Sequence, residues 1–127
     1  MSRGMMIFAL IAVSSILFAG AVIVRRRRRL RHASLAILNI LQQWEKEQTT
    51  TPNSRVRLSL RTASSVVAAG RYQDALNVLE WLWTTDGLPI SAELCGVRAT
   101  AIVHRAKGEN DIAQTVEQWA DELSEMK

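Results

Sequence analysis

Residues 68–76 read Ala-Ala-Gly-Arg-Tyr-Gln-Asp-Ala-Leu, and residues 106–114 read Ala-Lys-Gly-Glu-Asn-Asp-Ile-Ala-Gln. Laid over each other, Gly70 falls on Gly108 and Ala75 on Ala113, with one constant offset between the copies. Ala63 and Ala101 stand seven residues before the glycines, and Leu82 and Ala120 seven after the alanines. The spacing has a physical cause. Glycine enters the φ > 0 turn that joins two antiparallel helices, small residues let the helices cross closely, and Tyr72 covers the first turn. Working outward, the apolar periodicity predicts helices from about Arg55 to Ala69 and from Gln73 to Thr84. After the loop Thr85–Pro89, a third is capped by Ser91 and ends at Gly108, and a fourth runs from Asp111 to Glu125. Alternation with a period of two is absent, so the expected class is all-α.

The segment Ala-Gly-Arg-Tyr-Gln-Asp-Ala-Leu resembles the inter-helix turn of a tetratricopeptide repeat, and the resemblance covers about residues 55–122. The offset from Gly70 to Gly108 is slightly longer than the period of that family. In the second copy Asn110 stands where the aromatic should be, and the closing proline is displaced to Pro89. The resemblance implies a concave groove lined by the first helix of each pair. That assigns Arg57, Leu60, Ser64 and Val67 to the groove from the first copy, and Cys95, Arg98, Ile102 and Arg105 from the second. The asparagine-and-lysine set of the chaperone-binding clamp is not reproduced.

Met5 to Val24 is twenty apolar or small residues with no charge, eleven of them Ile, Leu, Phe or Val. As a helix it reaches about 30 Å, the thickness of a bilayer's hydrocarbon core. Arg25, Arg26, Arg27, Arg28, Arg29 and Arg31 follow it, whereas only Arg3 precedes it. Positive residues stay cytoplasmic, so the expectation is a single membrane-spanning helix with the N-terminus outside and the rest of the chain in the cytoplasm. The arginines also attract anionic lipid headgroups. Ala19-Gly20-Ala21 has the form of a signal-peptide cleavage site, but the preceding region is barely charged and the apolar run is too long. Beyond the collar, Leu30, Ala33, Ile37, Ile40, Leu41 and Trp44 recur at helical spacing. This stripe packs onto the following domain, docks a partner or lies on the membrane.

The net charge of +4 conceals a division. Residues 1–32 carry seven Arg and no acid, and residues 33–127 carry nine Lys and Arg against all twelve acids. The basicity belongs to the collar and does not indicate nucleic-acid binding. Cys95 is the one cysteine, so no disulfide framework or thiolate metal site is expected. His32 and His104 are far apart, and no metalloprotease, phosphate-loop or nucleophile-elbow motif occurs. The acids at 117, 121, 122 and 125 form a solvated helical face, and neither an enzyme nor a cofactor is expected. Of the tryptophans, Trp83 and Trp119 fall on inward faces, and Trp44 ends the stripe. Trp81 is the candidate for an exposed contact, the alternative being that it is merely half-buried.

The expected organisation is an anchor at 1–24, a basic collar and helical stalk at 25–47, a linker at 48–54 and a repeat-like helical domain at 55–127. Arg57 and Arg61 share one helix face, and Arg98 and Arg105 share another. With Leu60, Ser64, Trp81 and Ile102, they form the expected contact surface for a protein partner. The expected function is an adaptor or accessory subunit of a bacterial inner-membrane complex of the secretion or envelope-assembly kind. The alternatives are a receptor for targeting peptides, laid out like the small mitochondrial outer-membrane import receptor, and a membrane-bound regulator that recruits a protease or hydrolase. With only two repeats, membrane partners or self-association would complete the buried surface.

Overall fold

The computed structural model describes the backbone of residues 3–48 and 53–126, with side-chain surroundings from residue 16 onward within that range. Five helices follow in order: α1 (Arg3–Glu47), α2 (Ser54–Ala68), α3 (Tyr72–Thr84), α4 (Ile90–Ala106) and α5 (Asn110–Glu125). The described residues contain no strand, and the fold is all-α and compatible with a helical repeat. Part of the 48–54 linker, residues 49–52, lies outside the described residues.

The two glycine turns are built alike. Gly70 takes φ 78° and Gly108 φ 91°. In the first turn the Gly70 amide donates to the Val67 carbonyl and the Arg71 amide to the Val66 carbonyl. In the second, Gly108 donates to Arg105 and Glu109 to His104. Both are the two-bond closure that satisfies the last carbonyls of a helix and reverses the chain. Ala63, Ala75, Ala101 and Ala113 are all buried, as close crossings require.

Two caps differ from the sequence reading. Asn53, not Ser54, caps α2: its backbone is extended, and its side-chain oxygen accepts the Arg55 amide at 2.9 Å. At α4 the cap position is Pro89, whose carbonyl accepts the Ala92 and Glu93 amides. Ser91 is thereby released to accept the indole N–H of Trp44 at 3.3 Å.

The stripe on α1 is core. Leu30, Ala33, Ile37, Leu41 and Trp44 are buried, and all but Leu30 join one apolar cluster with Val56, Leu60, Val67, Leu79, Leu82 and Val103. α1 runs along both α2 and α4, which hardly touch each other. Its crossing with α2 is close enough for Ser34 Oγ to meet Ser64 Oγ at 2.7 Å, while Ser64 Oγ also donates to the Ser34 carbonyl. A second, smaller cluster of Leu94, Val97, Ala120 and Leu123 joins α4 to α5.

α1 is continuous across the arginines, and every residue from 16 to 29 is exposed. Among the described residues, no helix is long and apolar enough to cross a membrane. The Met5–Val24 segment read as a span falls partly outside them, since the side chains of residues 5–15 are not described.

Gly96 marks a contact that the sequence reading passed over. A Cβ there would lie 2.7 Å from Leu82 Cβ and 3.4 Å from the Leu79 carbonyl oxygen. Thr100 extends this seam, donating to the Gly96 carbonyl at 2.8 Å. Gly96→Val is expected to destabilise the chain by roughly 1–3 kcal/mol through overpacking. Ile37→Ala, which opens a cavity beneath α1, should cost roughly 2–5 kcal/mol. Both are read from urea unfolding of the full chain in neutral detergent, followed by tryptophan fluorescence. An unchanged midpoint for Ile37→Ala would show that α1 is not part of the cooperative unit.

Candidate functional site

α1 fills the side of the implied groove lined by the first helix pair, whereas Ile102 and Arg105 of the second pair border an open cavity against α1. Leu60 and Val67 are fully buried in the cluster that holds Ile37, and Ser64 is held by Ser34. Leu60 and Ser64 are therefore not on an outer surface. Cys95 is buried as well.

The four arginines expected to form one basic surface are not brought together. Arg57 Nε donates to Glu45 Oε1 at 2.7 Å on one flank of α1. Arg98 lines a small crevice with Ile40, Gln43, Trp44 and Glu47 on the other flank. α1 lies between them and separates the two pairs. Arg105 reaches Glu117 of α5 at 2.6 Å. Arg61 is exposed and shares a shallow concavity with Arg55, Arg57 and Leu58. Ile102 is half-buried.

Of the tryptophans, Trp119 departs most from the inward position expected of it. Trp81 is half-buried against the main cluster, and Trp83 is half-buried against the smaller one. Two helical steps turn a side chain by about 200°, so neighbours two apart serve opposite flanks of α3. Trp119 is 37% exposed and meets Trp83 edge-on, with ring centroids 5.4 Å apart. The Trp83 indole nitrogen is buried without a hydrogen-bond partner among the described residues.

A broad concavity lies where α1 leaves the bundle. Arg28, Arg29, His32, Ala33 and Ala36 of α1 face Ile102, Arg105 and Ala106 of α4, with Gly108 and Asn110 beyond them, around about 660 Å³. A second cavity of about 340 Å³ adjoins it across Arg29 and Ala106 and adds Val22, Arg25, Arg26, Tyr72 and Lys107. Among the described residues, none of Arg25, Arg26, Arg27, Arg28, Arg29 and Arg31 forms an ion pair. Tyr72 donates weakly to the Ala106 carbonyl at 3.5 Å, closing the second cavity from beneath. At the rim, Glu109 is engaged by His104 at 3.1 Å and by Lys107 at 3.5 Å. The hydrogen bond from His104 holds the Glu109 carboxyl below its ordinary value; partial desolvation opposes this and Lys107 adds to it.

The sequence reading assigned Arg28, Arg29 and Arg105 to separate roles. The signal for their meeting was the small pair Ala33 and Ala36, which leaves a hollow one turn beyond Arg29 and His32. Among the described residues, no group of three or more His, Cys, Asp or Glu is placed to hold a metal ion. Comparison of the chain with models of known protein families, with curated proteins and with solved structures gives no match.

Proposed function

We propose that the chain is a membrane-anchored adaptor: a small helical domain, repeat-like in the tetratricopeptide manner, held at the cytoplasmic face as an accessory subunit of a membrane complex. The observation that carries this reading is the division of α1. Leu30 to Trp44 is built into the core, whereas Ile16, Leu17 and Phe18 are 70%, 69% and 73% exposed and Val22, Ile23 and Val24 about half exposed. Those six residues are spread around the helix axis, and none belongs to either buried cluster. Such a surface is stable in lipid or against another apolar helix, and is costly in water. Arg25 follows at once, as the positive-inside rule requires of a cytoplasmic flank.

The distances suit this placement. From Val24 to Leu30 the helix rises about 9 Å, close to the depth of one headgroup layer. The collar thus occupies the headgroups, and the bundle's Gly70 turn reaches back alongside it to Arg26. With the first pair's side of the groove filled, partners are left the outer faces there. The surface of α2 that carries Leu58, Arg55 and Arg61 suits an acidic, partly apolar segment of another protein. The targeting-peptide reading depends on an open groove, and α1 covers the side of it lined by Leu60 and Val67.

In a bacterial host the chain is expected to resist alkaline extraction from membranes, and a C-terminal alkaline phosphatase fusion is expected to be inactive. A photoreactive amino acid at position 58 or 61 should cross-link to a second membrane protein. Alkaline release or an active periplasmic fusion overturns the anchored topology, and failure of both probes to cross-link overturns the adaptor reading.

A further inference from the structure

The unpaired collar arginines and the cavity beside them raise a question of chemistry. A run of arginines on a solvated helix attracts anionic lipid diffusely, about 1 kcal/mol per residue, whichever way each side chain points. Here the arginines are not equivalent. Arg28 and Arg29 line the 660 Å³ cleft, whereas Arg27 and Arg31 line neither cavity. Arg105 comes to the same cleft from α4, far along the chain from Arg29. The floor between these cations is apolar, made by Ala33, Ala36, Ile102 and Ala106.

We propose that this cleft seats the phosphate of one anionic phospholipid, with Arg28, Arg29 and Arg105 as its cationic ligands, the alanine floor beneath the headgroup, and the acyl chains running back past Val22 toward the bilayer. Guanidinium groups from two helices supply several N–H donors to one phosphate, the geometry for which arginine is suited. Glu117 already holds one N–H of Arg105, and Glu109 lies at the rim with Lys107. The net positive charge in the cleft therefore comes from Arg28 and Arg29, which no acid neutralises among the described residues. Val22, on the apolar side of the arginines, favours an amphiphile over a fully hydrophilic phosphate. The position agrees with the source: Val22, from the apolar stretch, lines the adjoining cavity together with Arg25, Arg26 and Tyr72. The inference rests on the anchored reading for where the lipid is met, but the cleft itself is tested without a bilayer.

The test uses the full chain in a neutral maltoside detergent, with phosphatidylglycerol or phosphatidylcholine added to the micelles and retained lipid counted by native mass spectrometry. The unaltered chain should retain one phosphatidylglycerol in preference to phosphatidylcholine. Arg28→Gln with Arg29→Gln should weaken retention roughly tenfold, the scale of a lost charge-assisted contact. Arg27→Gln with Arg31→Gln removes the same charge and should leave retention unchanged. Arg105→Gln, outside the collar, should weaken it as well, with helicity checked by circular dichroism. Equal losses in the two collar pairs would show diffuse attraction and overturn the cleft while leaving the anchored reading intact. Retention that persists in Arg28→Gln/Arg29→Gln and in Arg105→Gln overturns it too. Competition by millimolar glycerol 3-phosphate as effective as by lipid would assign the cleft to a soluble phosphate and overturn the lipid.

Discussion

The seating of one face of α1 across α2 and α4 is the constraint from which the rest of the bundle follows. Two helical hairpins carry a concave apolar surface that they cannot close by themselves, since α2 and α4 hardly touch each other. Ile37, Leu41 and Trp44 supply the missing wall, with Ile37 fully buried and Trp44 fixed at its far end by the hydroxyl of Ser91. Small side chains make the approach possible, as Ser34 on α1 meets Ser64 on α2. Stacked repeats ordinarily need about three units to bury a continuous core. This chain has two and completes the core with the helix that also carries its apolar end.

That arrangement bears on what the domain offers to other molecules. A vacant groove invites an extended or helical peptide, but here the first pair's side of the equivalent surface is an intramolecular interface. Its arginines are either neutralised, as Arg57 is by Glu45, or turned to the other flank, as Arg98 is. The densest run of arginines without an ion pair among the described residues is the collar at the opposite end of α1. Positive charge is thus concentrated where the bundle meets the apolar segment.

Most of the local structure was legible in the sequence, and the reason is chemical. Gly70 and Gly108 announce turns because few other residues accept their backbone angles. Ala75 and Ala113 announce close crossings because a larger residue would not fit there. The stripe from Leu30 to Trp44 announced that it must be covered, but periodicity cannot say by what, since the covering partners stand on other helices, distant in the chain. The same limit hid Gly96, whose need for smallness comes from Leu82 on a different helix. It also hid the pairing of Arg57 with Glu45 and the convergence of Arg105 on Arg28 and Arg29. Trp119 was assigned inward from its own helix; the edge-on contact with Trp83 leaves it 37% exposed.

The unbroken course of α1 has a mechanical consequence. The collar holds no glycine or proline, so the 45-residue helix acts as a torsionally stiff rod whose far end is clamped in the bundle. A rotation of the apolar end about its axis turns the whole bundle through the same angle, and an axial displacement moves it through the same distance. One residue added to the collar would swing the bundle by about 100° and raise it by about 1.5 Å; seven would nearly restore its bearing while lifting it by about 10 Å. The number of residues between Val24 and Leu30 therefore sets a compass direction as well as a height.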